Sequence, residues 1–241
     1  MGLTHSPKIV TDGLVLCMDA ASVRSRGNDW VNLIPGTGYD GTLVNGASFN
    51  TSTNSVDLDG TNDYILFDDT PFVENTDCTI SFAAKINSTG SDQDFVTKGS
   101  HSSSQPLIIW YDAAASASTP IGAGNTHCLS VLIRGSSTAS RIWMAGATNS
   151  VTAGEILMVD VAIDVTNTKA ICYKNGSLLV DSGTNSNFTG IQNTTNTLRL
   201  GIDLAQARDL EGSFYYFRVY DRVLSPSEIE QNYKATKGRF V

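Results

Sequence analysis

The sequence predicts an all-β protein, an antiparallel two-sheet sandwich with one short C-terminal helix. Three observations carry this. Apolar and polar residues alternate with period two from end to end. Clusters of Gly, Ser, Thr and Asn punctuate the alternating runs. A helix-start signal stands only near the end, at Ser225.

The first strand is read at Leu14 to Asp19, followed by a Gly- and Asn-rich loop and a strand at Tyr64 to Phe67. Cys78 to Ile86 puts Ile80, Phe82, Ala84 and Ile86 on one face and Thr79, Ser81 and Lys85 on the other, a half-buried strand. Shorter runs follow at Phe95 to Lys98, Leu107 to Tyr111, Cys128 to Ile133 and Arg141 to Ala145. Leu157 to Thr166 alternates as clearly as Cys78 to Ile86. Ala170 to Lys174 and Leu178 to Asp181 flank Asn175-Gly176, the pair that a type I′ hairpin demands. Leu198 to Ile202 and Phe214 to Tyr220 complete the strands, the last apolar on both faces and therefore interior. Ser225-Pro226-Ser227-Glu228 then supplies an N-cap, a proline at the first helical position and a glutamate at N3, with Ile229 and Tyr233 at helical spacing. No repeat, linker or composition break divides residues 1–241, so one domain is expected, with an N-terminal arm over 1–12 and a closing helix and tail over 225–241.

Sixteen Lys and Arg against twenty-four Asp and Glu give a formal charge of −8, the wrong sign for phosphate backbones or anionic lipid. Neither nucleic acid nor membrane is an expected partner. No apolar run has membrane-spanning length, and Met1 to Pro7 shows no basic and apolar signal segment, so folding in the cytoplasm is expected. Cys17, Cys78, Cys128 and Cys172 each sit in an apolar run without C-x-x-C spacing, as buried free thiols do.

The chain has five Glu and three His, a small supply of groups for acid–base catalysis at neutral pH. No Glu-x-Asp-x-Glu run offers the paired carboxyls of a glycosidase, and no nucleophile elbow is present. His127 adjoins Cys128, but neighbouring strand residues point to opposite sides, so the two form no dyad. His5 precedes the first strand and His101 lies in a serine-rich loop. These features predict that the protein is not an enzyme. One acidic turn, Asp57-Leu-Asp59-Gly60-Thr61-Asn62-Asp63, carries oxygen ligands of the kind calcium takes, with Asp19 as a supporting ligand. The same residues equally suit turns made by side-chain to backbone bonds, and Asp19 a capping role. Trp30 and Tyr39, inside the first loop, are the aromatics expected to be partly exposed and able to stack on sugar rings.

Taken in order, several segments resemble one family. Gly13-Leu-Val-Leu-Cys-Met-Asp19-Ala-Ala21, Trp30-Val-Asn32-Leu with Asp40-Gly41-Thr42-Leu43, and Val56-Asp-Leu58-Asp59-Gly60-Thr-Asn62-Asp63-Tyr64-Ile65 are similar to the opening motifs of laminin-G-like jelly-roll domains. These domains belong to the concanavalin A-like lectin/glucanase superfamily. Cys78 to Phe82, Tyr173 to Gly176 and Gly212 to Ile229 resemble its later strands and closing helix. The resemblance implies a jelly roll and a structural calcium on Asp59, Asn62 and Asp63. Asn32 and Tyr215 depart from it, each standing where the pattern has an aspartate. The opening residues and the closing Gln231 to Phe240 also resemble virion proteins of tailed bacteriophages, particularly those of marine cyanobacteria. That likeness implies a non-enzymatic virion structural protein, a capsid decoration or a tail or fibre appendage. Such a protein binds other virion proteins and host-surface glycan, as a homo-oligomer in fibre-like parts. A calcium-dependent carbohydrate-binding lectin is the alternative, with a glycosidase behind it.

Overall fold

The computed structural model describes residues 7–99, 105–114, 124–205 and 208–240. His5, His101 and most of the loops expected at Gly99 to Gln105 and Ala113 to Asn125 lie outside them. Two antiparallel sheets pack face to face. The first runs β14 (Ser177–Asp181), β13 (Lys169–Lys174), β12 (Ile156–Asp164), β7 (Cys78–Ile86), β16 (Glu211–Tyr220), β5 (Ser55–Asp59) and β4 (Ser48–Asn50), and β1 (Leu14–Asp19) lies along the remaining edge of β16. The second runs β11 (Arg141–Ala145), β10 (Cys128–Arg134), β9 (Leu107–Asp112), β8 (Gln93–Lys98), β15 (Leu198–Leu200), β6 (Tyr64–Phe67), β3 (Gly41–Val44) and β2 (Asp29–Trp30).

Period-two alternation places one side of each strand in the space between the sheets. Phe82 meets Phe95 at 5.6 Å and Phe214 at 6.1 Å between ring centroids, and Phe67 meets Phe217 at 5.6 Å. All five rings are fully buried, so the sandwich is held by aromatic side chains from both sheets. All four cysteines are buried and unbonded, and burial pushes the Cys78 thiol up to about 12.

Asn175 (φ 53°) and Gly176 (φ 75°) form the expected hairpin, with Lys174 opposite Ser177. α1 (Pro226–Thr236) begins at the capping box foreseen at Ser225 and Glu228. A 3-10 turn over Lys237–Arg239 follows. β16 is interior as expected. A bulge between Phe214 and Tyr216 turns Tyr215 and Tyr216 together to the outer side, where Tyr215 packs edge-on against Phe240 at 4.9 Å.

The first loop departs from expectation. Residues 29–59 contain four short strands, β2 to β5, where the sequence suggested loop and turn. These runs are two to five residues long, too short for alternation to register. Ladder pairing defines them instead: β3 with β6, β5 with β16, β2 with β3 and β4 with β5.

Residues directly opposite in antiparallel strands share a face. The outer side of the first sheet therefore carries three rows: Ala162–Thr79–Tyr220, then Tyr173–Asp160–Ser81–Arg218–Cys17, then Met158–Ala83–Tyr216–Asp19. Ile229 packs with the apolar members of the first row, while Tyr233 and Phe240 pack with those of the third. The helix thus closes this face.

Candidate functional site

The acidic turn is a device for folding. Asp63 is buried, and its two oxygens accept from the backbone N–H groups of Gly46 (2.6 Å) and Asp59 (3.1 Å). Asp59 accepts from the Thr61 N–H at 2.7 Å, and Asn62, at φ 61°, takes the left-handed turn conformation. Asp19 lies elsewhere. It is opposite Tyr216 on β16, whereas Asp59 is opposite Glu211, five residues along the strand and so about 16 Å away. Both its oxygens are engaged by the Arg239 guanidinium, at 2.8 and 2.9 Å. No three acidic, His or Cys side chains converge as a metal site among the described residues. The set Asp59, Asn62, Asp63 and Asp19 does not fit a calcium ion, because the carboxylates that would have to bind it are occupied or far apart.

Asn32 shows what replaced the aspartate of the family pattern. Its side-chain oxygen accepts from the N–H of Cys17 (2.8 Å) and Ile34 (3.1 Å), and its amide donates to Thr37 at 2.6 Å. A carboxylate could accept the first two bonds but not donate the third. The Trp30 expectation is also corrected. Trp30 sits in β2 opposite Gly41 with its ring wholly in the core, because the short strand turns it inward. Tyr39 is half-buried and packs against the same core.

The outer face of the second sheet brings together residues that sequence reasoning did not select. Ile108, Trp110 and Leu132 cluster there with Trp143, apart from the main core. The rings of Trp110 and Trp143 lie 6.2 Å apart, tilted by 58°. Trp143 is partly exposed, and the exposed Arg141 sits over its ring at 5.6 Å. Ser130 and Asp94 flank Trp110 on either side, Thr97 faces Ile108, and Asp112 faces Cys128. One strand farther, Arg199 faces Thr97 and lies over the Tyr64 ring at 4.9 Å. Two carboxylates, Asp94 and Asp112, thus share a face with two tryptophans, but both carboxylates and Trp110 are buried, and of this group Trp143 and Arg141 reach solvent. Only pairing register reveals this, since the residues come from separate strands with unremarkable local sequence.

A separate polar groove of about 360 Å³ is lined by Gly60, Ser91, Asp92, Arg208 and Asp209. Asp92 accepts from the Ala113 N–H at 2.9 Å and pairs with Arg208 at 3.1 Å. Burial raises the Asp209 carboxyl above its usual range, against the bond it accepts from the Asn62 N–H. The five glutamates stand apart from this arrangement: Glu74 ties loops at Ser136, Thr189 and Asn193, Glu155 pairs with Lys174, Glu228 with Arg222 and Glu230 with Lys234, while Glu211 opposes Asp59.

Two antiparallel jelly-roll sheets with a helix over one outer face define a lectin-like sandwich. Residues 59–230 match the laminin G family model of the concanavalin A-like lectin/glucanases superfamily, and the chain belongs to that superfamily. No curated protein matches its sequence. Among solved structures, the binding domain of botulinum neurotoxin serotype D superposes with a TM-score of 0.68 at 13% identity, over 93% of this chain and 52% of that one. Trypanosoma rangeli sialidase in complex with sialic acid superposes with a TM-score of 0.67 at 15% identity, over 98% and 36%. The binding domain of Paraclostridial Mosquitocidal Protein 1 gives 0.63 at 14%, over 92% and 52%. The chain spans about half the length of these binding domains and about a third of the sialidase, and the likeness is one of fold.

Proposed function

We propose that the protein is a non-enzymatic recognition module that binds glycan on the outer face of its second sheet. The observation that carries this reading is the partly exposed Trp143 ring, backed by the buried Trp110 and overlain by the exposed Arg141. Aromatic rings stack on the apolar faces of sugar rings, while a guanidinium group bonds their hydroxyls. The other outer face is closed by α1. The fold neighbours include two toxin binding domains and a sialidase solved with sialic acid, which supports a glycan as the ligand class.

The proposed setting is the particle of a tailed bacteriophage, where the module is displayed as a capsid decoration or tail appendage and bound to other virion proteins. The likeness of Gly13–Ala21 and of the closing residues to such virion proteins supports it. Binding to a glycan array, lost in Trp143→Ala and unaffected by chelator, is the expected result. Release of reducing sugar or sialic acid by the pure protein would overturn the non-enzymatic reading. Electron cryomicroscopy of the particle tests the setting.

A further inference from the structure

The middle row beneath α1 is polar although it lies between two apolar rows. Asp160, Ser81 and Arg218 are each at most 3% exposed. One Asp160 oxygen and two Arg218 nitrogens have no hydrogen-bond partner among the described residues, and neither does the hydroxyl of buried Thr236 on the helix above. Asp160 and Arg218 stand two strand spacings apart across β7, about 10 Å between Cα atoms, and form no ion pair. Arg218 stacks on Tyr216 at 3.9 Å instead.

The groups that face Asp160 can be named element by element. Tyr173 stands opposite it on β13, Ser81 on β7, and beyond that come Arg218, Tyr216 and Tyr220 on β16 and Cys17 and Asp19 on β1. Asp19 is neutralised by Arg239. The buried face of α1 contributes Ile229, Asn232 and Thr236, none of them charged. Asn232 is spent on the Val10 N–H and the Tyr220 hydroxyl. An ionised Asp160 under the seated helix therefore has one distant cation and no donor from above, and burial of such a carboxylate is costly.

We propose that this row is a proton-operated latch for the C-terminal cap: protonated Asp160 lets α1 seat on the sheet, and ionised Asp160 draws water into the row and lifts the helix. The direction of titration agrees. Burial, opposed by Ser81 and Arg218, raises the Asp160 carboxyl from 3.8 to about 6. A raised carboxyl stabilises the closed form below the open-state value, and that stabilisation is lost as pH rises from 3.8 towards 6. α1 is thus held most firmly in acid and released towards neutral pH.

Hydrogen exchange on the full chain tests this, with rates expressed as protection factors to remove the intrinsic pH dependence. Amides of residues 229–236 are expected to lose protection by about twentyfold between about pH 4.5 and about pH 7.5, while those of β9 and β10 keep theirs. Asp160→Asn should abolish the pH dependence. Arg218→Met, which removes the cation that favours ionisation, should move the transition to higher pH. The carbon resonance of the Asp160 carboxyl should titrate with the same midpoint. Protection of α1 that does not vary with pH, varies equally in Asp160→Asn, or falls together with that of β9 and β10 would overturn the latch.

Discussion

On the first sheet the outward rows Ala162–Thr79–Tyr220 and Met158–Ala83–Tyr216 are apolar enough to seat a helix, and Ile229, Tyr233 and Phe240 cover them. On the second sheet the corresponding rows run Trp143–Leu132–Ile108–Thr97–Arg199 and Ala145–Ser130–Trp110–Asp94. Here aromatic rings alternate with carboxylate, hydroxyl and guanidinium groups. The two faces have similar strand counts and the same antiparallel pairing, so geometry does not distinguish them. The difference lies in what reaches solvent: α1 covers the outward rows of the first sheet, whereas on the second Trp143 and Arg141 remain accessible at the β11 edge. Rows of Ala, Met and Tyr accept a helix, whereas an accessible Trp with an Arg over its ring is suited to a polar, ring-shaped ligand.

The largest effect should come from removing the helix anchor. Ile229→Ala deletes a fully buried side chain at the first apolar row and is expected to cost about 2–5 kcal/mol in urea unfolding, with glycan binding at saturating folded protein unchanged. If binding falls instead, the two faces are not independent.

Gly176→Ala comes next, at about 1–3 kcal/mol. Gly176 is at φ +75°, and a Cβ there would stand 2.8 Å from the Cβ of Tyr233, so the substitution strains the hairpin and pushes on the helix. Trp143→Ala should reverse the pattern, weakening glycan binding by about tenfold or more while stability falls by less than for Ile229→Ala. Equal losses of both would mean that Trp143 is packing only.

Glu228 sharpens the comparison through pH. Its bonds from Arg222, then from Ser225, hold its carboxyl at about 2 against the usual 4.5. A depressed carboxyl contributes stability above 4.5 that is lost as pH falls towards 2. Glu228→Gln should therefore flatten the acid limb of the melting curve, opposite in sign to the Asp160 effect at the same helix. The smallest effect is expected from calcium, whose addition or chelation should leave Tm unchanged; a rise on addition would restore the acidic turn as a binding site.

Much of this architecture is legible in the residues. β1, β6, β7 and β11 have the bounds that alternation sets, and Asn175-Gly176 and Ser225-Pro226 place the hairpin and the helix start because they are local signals. The four strands of residues 29–59 were illegible because each is defined by its partner. For the same reason Trp30 looked exposed: a turn-rich neighbourhood says nothing of the ring's direction, which the pairing with Gly41 decides. The candidate site was hidden most deeply. Asp94, Trp110, Ser130 and Trp143 occupy four strands over 50 residues, and only the ladder between β8 and β11 lines them up. The acidic turn, conspicuous in sequence, proved to be spent on its own backbone.

β16 lies between β7 on one edge and β5 with β1 on the other, so strands from the first third of the chain find their partner only in residues 211–220. A chain still being synthesised therefore holds open strand edges on β1, β5 and β7 until its last strand emerges. The bonds that tie Val10 to Tyr220 and Asn232 can form only after that. Such long-range closure makes folding slow and a shortened product prone to aggregate, so stop codons before β16 should yield insoluble fragments rather than a smaller sandwich.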